Sequence, residues 1–396
     1  MDFAYTAEQE RFRSELRAWL EHKKAEGSFA TREHKSLDQA VADGRRWQKT
    51  LYEGGWCGIH WPREYGGRSA SLLEQIIFQE ELARAGSPQL INLLALTMVG
   101  PVIIAYGTEE QKSRYLKPIL TADEIWCQGY SEPGAGSDLA SLSTRAVMEG
   151  DDYLISGQKV WTSYAQYADF CILLARTNPD VPKHKGITMF IVDMHSPGIE
   201  VRPLKQMNGD SEFNEVYLED VRVPRANIIG KEGAGWDMAV ALLMHERATL
   251  TFQRQLQSRV ALQDLLDFAR TWDETGSRPA DDPIVRQRIA QAYIDSEAIR
   301  LTALRNLTRQ LRGGHPGPEG SIEKLFWSEM FQRMLWNCVA MLGPYGNLAP
   351  EDPLAPAQGR WPHLMLYSRG RTIAAGTSEI QRGIIAQRVL GMPKDR

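Results

Sequence analysis

An α+β protein, helical at both ends with a β domain between, is what this sequence predicts. Three observations carry that expectation. Apolar residues recur at helical spacing to about residue 120; runs rich in β-branched and aromatic residues, broken by Gly, Pro, Asn and Asp, fill 121–235; and the helical period returns from 236 onward. The expected organisation is an all-helical domain over 1–120, a β-barrel or sandwich domain over 121–235, and a four-helix bundle over 236–396.

Each element has its own signal. Thr6 and Gln9 fit a capping box, and Phe12, Leu16, Trp19 and Leu20 then form one apolar stripe. "SLLEQIIFQEELARA" and "GTEEQKSRYLKPIL" predict two more helices, the second opened by Thr108 and Gln111 in the same capping pattern. "DYLISG", "FCILLAR", "ITMFIVDM" and "NEVYLEDVRV" have the composition of strands. "GKEGAG" at 230–235 lacks the GK[ST] ending of a phosphate-binding loop and reads as a helix lead-in. Four long helices are expected beyond it, starting at "WDMAVALLMHERATL", "DPIVRQRIAQAYIDS" and "SIEKLFWSEMFQRML" and closing with "RTIAAGTSEIQRGIIAQRVLG". "RGGHPGPEG" and "GPYGNLAPEDPLAPAQGRW" connect them.

The bulk properties narrow the function. With 396 residues, 43% of them hydrophobic, the chain is long enough for two or three packed domains. A net charge of −4 gives no global basic field, which speaks against nucleic acid and anionic membrane as partners. Cys57, Cys127, Cys171 and Cys338 form no CxxC pair, so neither structural zinc nor a disulfide framework is expected, and a reducing cytoplasm fits. No stretch approaches the roughly 20 apolar residues needed to cross a bilayer. The first residues are acidic where a signal peptide would be basic and apolar.

Two segments have the make-up of a ligand surface. In "WCQGYSEPGAGSDLASLSTRA", 126–146, Gly134 and Gly136 let backbone N–H groups approach a ligand, flanked by the hydroxyls of Ser131 and Ser137. In "GQKVWTSYAQYADF", 157–170, Trp161 and Ser163 stand two apart on a strand and so share a face, offering a ring plane and a hydroxyl. Taken singly, each has a plain reading: a turn with capping serines, and a core or interface tryptophan.

In combination they say more. "YSEPGAGSD", "GQKVWTS" and "GTSEIQR", in that order and inside that helical, β and helical frame, resemble the acyl-CoA dehydrogenase family over nearly the full length. "WPREYGG", "YGTEEQKSRYLKPIL", "NEVYLEDVRVP" and "GAGW" add to the likeness. The resemblance implies a flavoprotein that holds FAD between the β domain and the C-terminal bundle. It implies oxidation of an acyl-CoA to its 2-enoyl-CoA, electron transfer flavoprotein as acceptor, and a homotetramer or dimer of dimers.

Carried over by motif, Tyr130 and Ser131 would contact the flavin, with Gln128 beside them where an aromatic residue is common. Ser137 would lie near a phosphate or the substrate, and Trp161 with Ser163 would pack against the isoalloxazine. On the bundle side, Thr377 and Glu379 match positions that help hold FAD. Arg270 is assigned to the family's pyrophosphate-binding arginine, in an "RTWDETG" context that departs from the pattern. Ala340 stands where a glutamine commonly contacts the neighbouring subunit's cofactor.

The reaction removes a proton from the acyl Cα while a hydride leaves Cβ, so a carboxylate must face the substrate. Many family members place that glutamate immediately before the Gly-Thr of the last segment, where this chain has Ala375. Glu246 is the expected replacement. Trp236, Val240, Leu243 and Leu250 step along one helix face, and Glu246 falls three after Leu243 and four before Leu250, on the apolar stripe. Burial there would raise its pKa and its basicity, with adjacent Arg247 countering the shift. A minority branch of the family carries its base in this helix within such an "ER" pair. The plain alternative is a structural ion pair of Glu246 and Arg247.

Ala375, beside Ala374, leaves room in one wall for a branched or ring-bearing acyl group, with Arg247 and Ala375 as substrate contacts. "WCQGYSEPGAGSDLA", "EFNEV" and the "HER" helix also resemble the acyl-CoA dehydrogenases of bacterial steroid breakdown. Rival readings are an acyl-CoA oxidase, a flavin monooxygenase of the same fold, and a non-catalytic subunit of a hetero-oligomer.

Overall fold

Helix α1 (Ala7–Ala25) opens on the expected capping box, in which Thr6 Oγ1 accepts from Gln9 N and Gln9 Oε1 accepts from Thr6 N. The computed structural model in which this is seen describes residues 5–29, 36–271, 278–313 and 317–393, the side chains of 241–253 excepted. Helix α2 (Leu37–Glu53) is capped by Ser36, and α3 (Leu72–Ala85) by a second box from Ser71 and Glu74. A π turn over Ala95–Val99 runs into α4 (Gly100–Tyr106), and α5 (Glu109–Thr121) starts on the box of Thr108 and Gln111. Trp47, Trp56 and Trp61, each 1% exposed, fill the core of this helical layer.

Seven strands follow: β1 (Trp126–Gly129), β2 (Arg145–Glu149), β3 (Asp152–Ser163), β4 (Phe170–Arg176), β5 (Ile187–Asp193), β6 (Ile199–Leu204) and β7 (Phe213–Pro224). They form one sheet in the order β1-β4-β2-β3-β7-β6, with β5 on the other edge of β4. β1 and β2 run parallel to β4, and every other pairing is antiparallel.

The continuous apolar runs of β4 and β5 are explained by burial on both faces. Cys171, Leu173, Ala175, Phe190 and Val192 point into the cluster enclosed by the sheet. Ile172, Leu174, Ile187, Met189 and Ile191 point the other way, into the helical core. Such strands do not alternate apolar with polar, because neither face meets water.

Two compact units, Met1–Glu246 and Arg247–Arg396, divide the chain, with α6 (Gly235–Ala269) contributing to both. In the second unit α7 (Pro283–Leu311) is capped by Asp282, and α8 (Gly320–Met341) carries the core residues Trp327, Met330, Phe331, Met334 and Leu335. Ala261, Leu262 and Leu265 of α6 join that core. Of the fourth long helix expected over 371–391, only α10 (Ser378–Ile384) and a π turn over Ile385–Val389 form; a separate short helix, α9 (Arg360–Ser368), precedes it, and α9 and α10 both pack on α8. The break lies at Ala375 and Gly376, whose φ values of +55° and +88° are left-handed and stop any helix. No helix among the described residues is long and apolar enough to cross a membrane.

Candidate active site

Four of the predicted flavin contacts converge in the first unit. β3 is not a regular strand where Trp161 sits: its pairing with β7 shifts register between Lys159 and Thr162, and Trp161 takes a φ of +61°. Such a bulge re-aims a side chain, and the Trp161 ring stands 60% exposed with Phe213 edge-on at 6.1 Å. The simple two-residue alternation expected for Trp161 and Ser163 is therefore replaced by an outward tryptophan, a buried Thr162 and a half-buried Ser163.

The loop from Tyr130 docks on this bulge. Val160 N donates to Ser131 O at 2.9 Å, and Lys159 Nζ donates to Tyr130 O at 3.3 Å. At the end of β1, a Cβ on Gly129 would lie 2.6 Å from Leu173 Cδ1, so any larger residue there would have to push the buried Leu173 side chain aside. Ser137 stands apart on the exposed part of the loop.

Glu132 and Lys159, 4% and 0% exposed in their side chains, form an ion pair of 2.8 Å beneath the loop. Glu132 also accepts from Ser143 N at 2.6 Å, Ser143 Oγ at 2.8 Å and Thr144 N at 2.9 Å. Burial pushes this carboxyl up, but the charge and hydrogen bonds of Lys159, with those of Thr144 and Ser143, outweigh it and hold the pKa to about 2. Neither residue was singled out from sequence. The signal was there: Tyr153, Ile155, Lys159 and Thr162 are the buried positions of β3, and an inward lysine demands a counter-charge. Asn214 of β7, fully buried, adds a third hold by donating to Thr162 O at 3.0 Å.

Residues present here fit a polar, ring-bearing cofactor. Gln128 Nε2 and Thr162 Oγ1 are buried without a hydrogen-bond partner, two residues before Tyr130 and one after Trp161 in the chain. Buried polar atoms are seldom left so, and a ligand with acceptors and donors on its rim would satisfy them.

In the second unit, the turn at Ala375 and Gly376 is tied down by side chains. Lys324 Nζ donates to Gly376 O at 2.6 Å, and Gln381 Nε2 donates to Ala375 O at 3.0 Å and to Gly376 O at 3.2 Å. Thr377 caps α10 by accepting from Ile380 N, and Glu379, 80% exposed, lies in its first turn. The Glu379 carboxyl is held below its ordinary value by its own backbone N–H, then by the Thr377 hydroxyl. Ala375 itself is exposed. Arg270, 68% exposed, lies 4.0 Å from Asp267 and lines a groove of about 400 Å³ with Leu266, Arg286, Ile289 and Tyr293.

Glu246 and Arg247 belong to α6, but their side chains lie outside the described residues. The stripe expected to carry Glu246 differs at its described start: Met238 and Ala239 are buried, at 3% and 1%, whereas Val240 is 41% exposed and Trp236 half-buried against His184. The helix turns its small and flexible residues inward there, which apolarity alone does not distinguish from the Trp236 face.

Residues 6–123, 127–221 and 233–390 match the acyl-CoA dehydrogenase N-terminal, middle and C-terminal domains, and the chain belongs to the acyl-CoA dehydrogenase family. It is 37% identical over 394 residues to acyl-CoA dehydrogenase IpdE1 of Mycobacterium tuberculosis, covering 98% of each chain. The ChsE4-ChsE5 complex from Mycobacterium tuberculosis matches with a TM-score of 0.84 and 35% identity over 100% of both chains. The Tcur3481-Tcur3483 steroid ACAD matches with a TM-score of 0.85 and 33% identity, again over 100% of both chains.

Proposed function

We propose that this enzyme is an FAD-dependent dehydrogenase of a bulky acyl-CoA, branched or steroid-derived, with Glu246 as its base. The observation that carries the reading is the tied turn of the second unit: the residue before Gly376-Thr377 is Ala375, so this wall holds no carboxylate and little volume. The name of a full-length relative as a steroid enzyme supports the bulky acyl group.

FAD, when bound, supplies the acceptor for the hydride lost from the acyl Cβ. The chain's own groups do the rest. Gln128 and Thr162 offer buried polar atoms to the cofactor rim, Tyr130 and Ser131 present the edge of the loop, and Trp161 with Ser163 offers a ring plane and a hydroxyl. Thr377 and Glu379 serve the cofactor from the bundle, Arg270 its pyrophosphate, and Ser137 and Arg247 the thioester substrate. Glu246 takes the Cα proton, becoming a neutral acid as the Cα–Cβ double bond forms. The electron acceptor is an electron transfer flavoprotein, the assembly a homo-oligomer, and the compartment cytoplasmic.

The test is an anaerobic visible spectrum of the purified protein with a panel of straight-chain, branched and steroid-derived acyl-CoAs. A yellow protein bleached first by ring-bearing thioesters supports the reading; preference for straight chains rejects the substrate class. Glu246→Gln is expected to keep FAD and lose roughly 10²-fold or more in turnover, and undiminished turnover would remove Glu246 from the mechanism.

A second reading is favoured by the paired chain names of the solved relatives, a subunit whose site is completed by an unlike chain. Flavin binding and turnover that emerge only after a second chain is added would establish it.

A further inference from the structure

The geometry points to Glu132 and Lys159 as positioning residues for the cofactor: a buried charge pair that joins the Tyr130 loop to the Trp161 bulge and fixes both flavin-facing surfaces in one arrangement. This rests on the reading of that surface as the FAD site.

A buried ion pair is a poor way to stabilise a core, since apolar residues of equal volume commonly do as well or better. What this pair does instead is shown by its partners. Every side-chain hydrogen bond it makes beyond itself goes to a segment of the site or the strand entry behind it: Tyr130 O, Ser143 N and Oγ, and Thr144 N. Lys159 and Val160, consecutive on the bulge, bind Tyr130 O and Ser131 O, consecutive on the loop. Glu132 is also the anchor of the loop's own turn, exchanging both backbone bonds with Ala135 at 3.0 and 3.1 Å. Gln128 and Thr162, with their unpartnered polar atoms, lie four residues before Glu132 and three after Lys159 in the chain. A shift of the pair therefore moves the loop edge and the bulge together, and charge is what makes the tie strong enough to hold main-chain atoms in place.

Glu132→Gln/Lys159→Met removes both charges without stranding either one. The apo-protein of this double variant is expected to melt close to the wild type, while FAD binds at least 10-fold more weakly and its bound visible absorption band is displaced. Wild-type FAD affinity and an unmoved band in a folded double variant overturn the inference. Ser143→Ala leaves the pair whole and removes only one bond to Glu132. It is expected to weaken FAD binding about threefold without changing the apo-protein's melting, and unchanged affinity counts against the inference even if the double variant does not fold. A wild-type apo-protein that takes up no FAD at all would instead sink the cofactor reading on which this rests.

Discussion

Lys159 in the first unit and Lys324 in the second do the same local job under different electrostatics. Both are buried, at 0% and 3%, and both donate to a backbone carbonyl, Tyr130 O and Gly376 O, at the centre of a segment expected to meet ligand. Lys159 has a carboxylate at 2.8 Å. Lys324 forms no ion pair among the described residues; burial pushes its ammonium down to about 8, and the positive Arg254 adds to the push while Glu379 and Glu329 oppose it. Burial pushes both ammoniums down, but on Lys159 the charge and hydrogen bond of Glu132 oppose that push at ion-pair distance, whereas Lys324 has no carboxylate so close. The lesson is that a tie to a carbonyl needs a donor, and a counter-ion decides whether that donor stays charged.

The comparison breaks most sharply on removing each lysine. Lys159→Met strands Glu132 in the core and is expected to cost about 3–5 kcal/mol in denaturant unfolding. Lys324→Met removes one hydrogen bond and one unpaired buried charge together, and should stay within about 1 kcal/mol of wild type. Equal losses would show that the counter-ion is irrelevant.

Titration sharpens it further. Glu132 is charged in the fold down to about 2, whereas its ordinary value is 4.5, so its contribution is full above about 4.5 and is lost as pH falls toward 2. Lys324 runs the other way: between 8 and its ordinary 10.5 the unfolded chain holds the extra proton, so its contribution to stability rises as pH climbs through that window. Melting curves against pH should lose the acid slope in Glu132→Gln and the alkaline slope in Lys324→Met, each variant keeping the other's slope. The smallest effect belongs to the turn that Lys324 holds. Ala375→Gly relieves a left-handed alanine and is expected to stabilise by up to about 1 kcal/mol, which a shift of the denaturation midpoint would report.

What sequence revealed and what it hid follow the range of the forces involved. The boxes at Thr6 and Thr108 are closed by residues three apart, so their pattern is complete in the chain itself. The motif "GTSEIQR" is read from sequence as a site segment, and the helix predicted through it breaks at Ala375, because the bonds that hold the turn reach back 52 residues to Lys324. β2 and β6 were not foreseen: they span 5 and 6 residues, and each exists through its pairing with other strands. The bulge at Trp161 is likewise a property of the pairing of β3 with β7, not of either strand alone. Lys159 and Glu132 stand 27 residues apart, and only the fold makes them a pair.

Trp161 has an optical consequence. Of the 11 tryptophans, Trp47, Trp56 and Trp61 sit in dry core, whereas Trp161 at 60% and Trp336 at 59% exposure meet solvent. Water relaxes around the excited indole of an exposed tryptophan and moves its emission to the red, so these two colour the long-wavelength edge of the protein's fluorescence. Among the described tryptophans, Trp336→Phe leaves that edge to Trp161. The chain then carries its own light-emitting gauge at the bulge, dimmed or blue-shifted by whatever comes to cover the ring, and readable without any label.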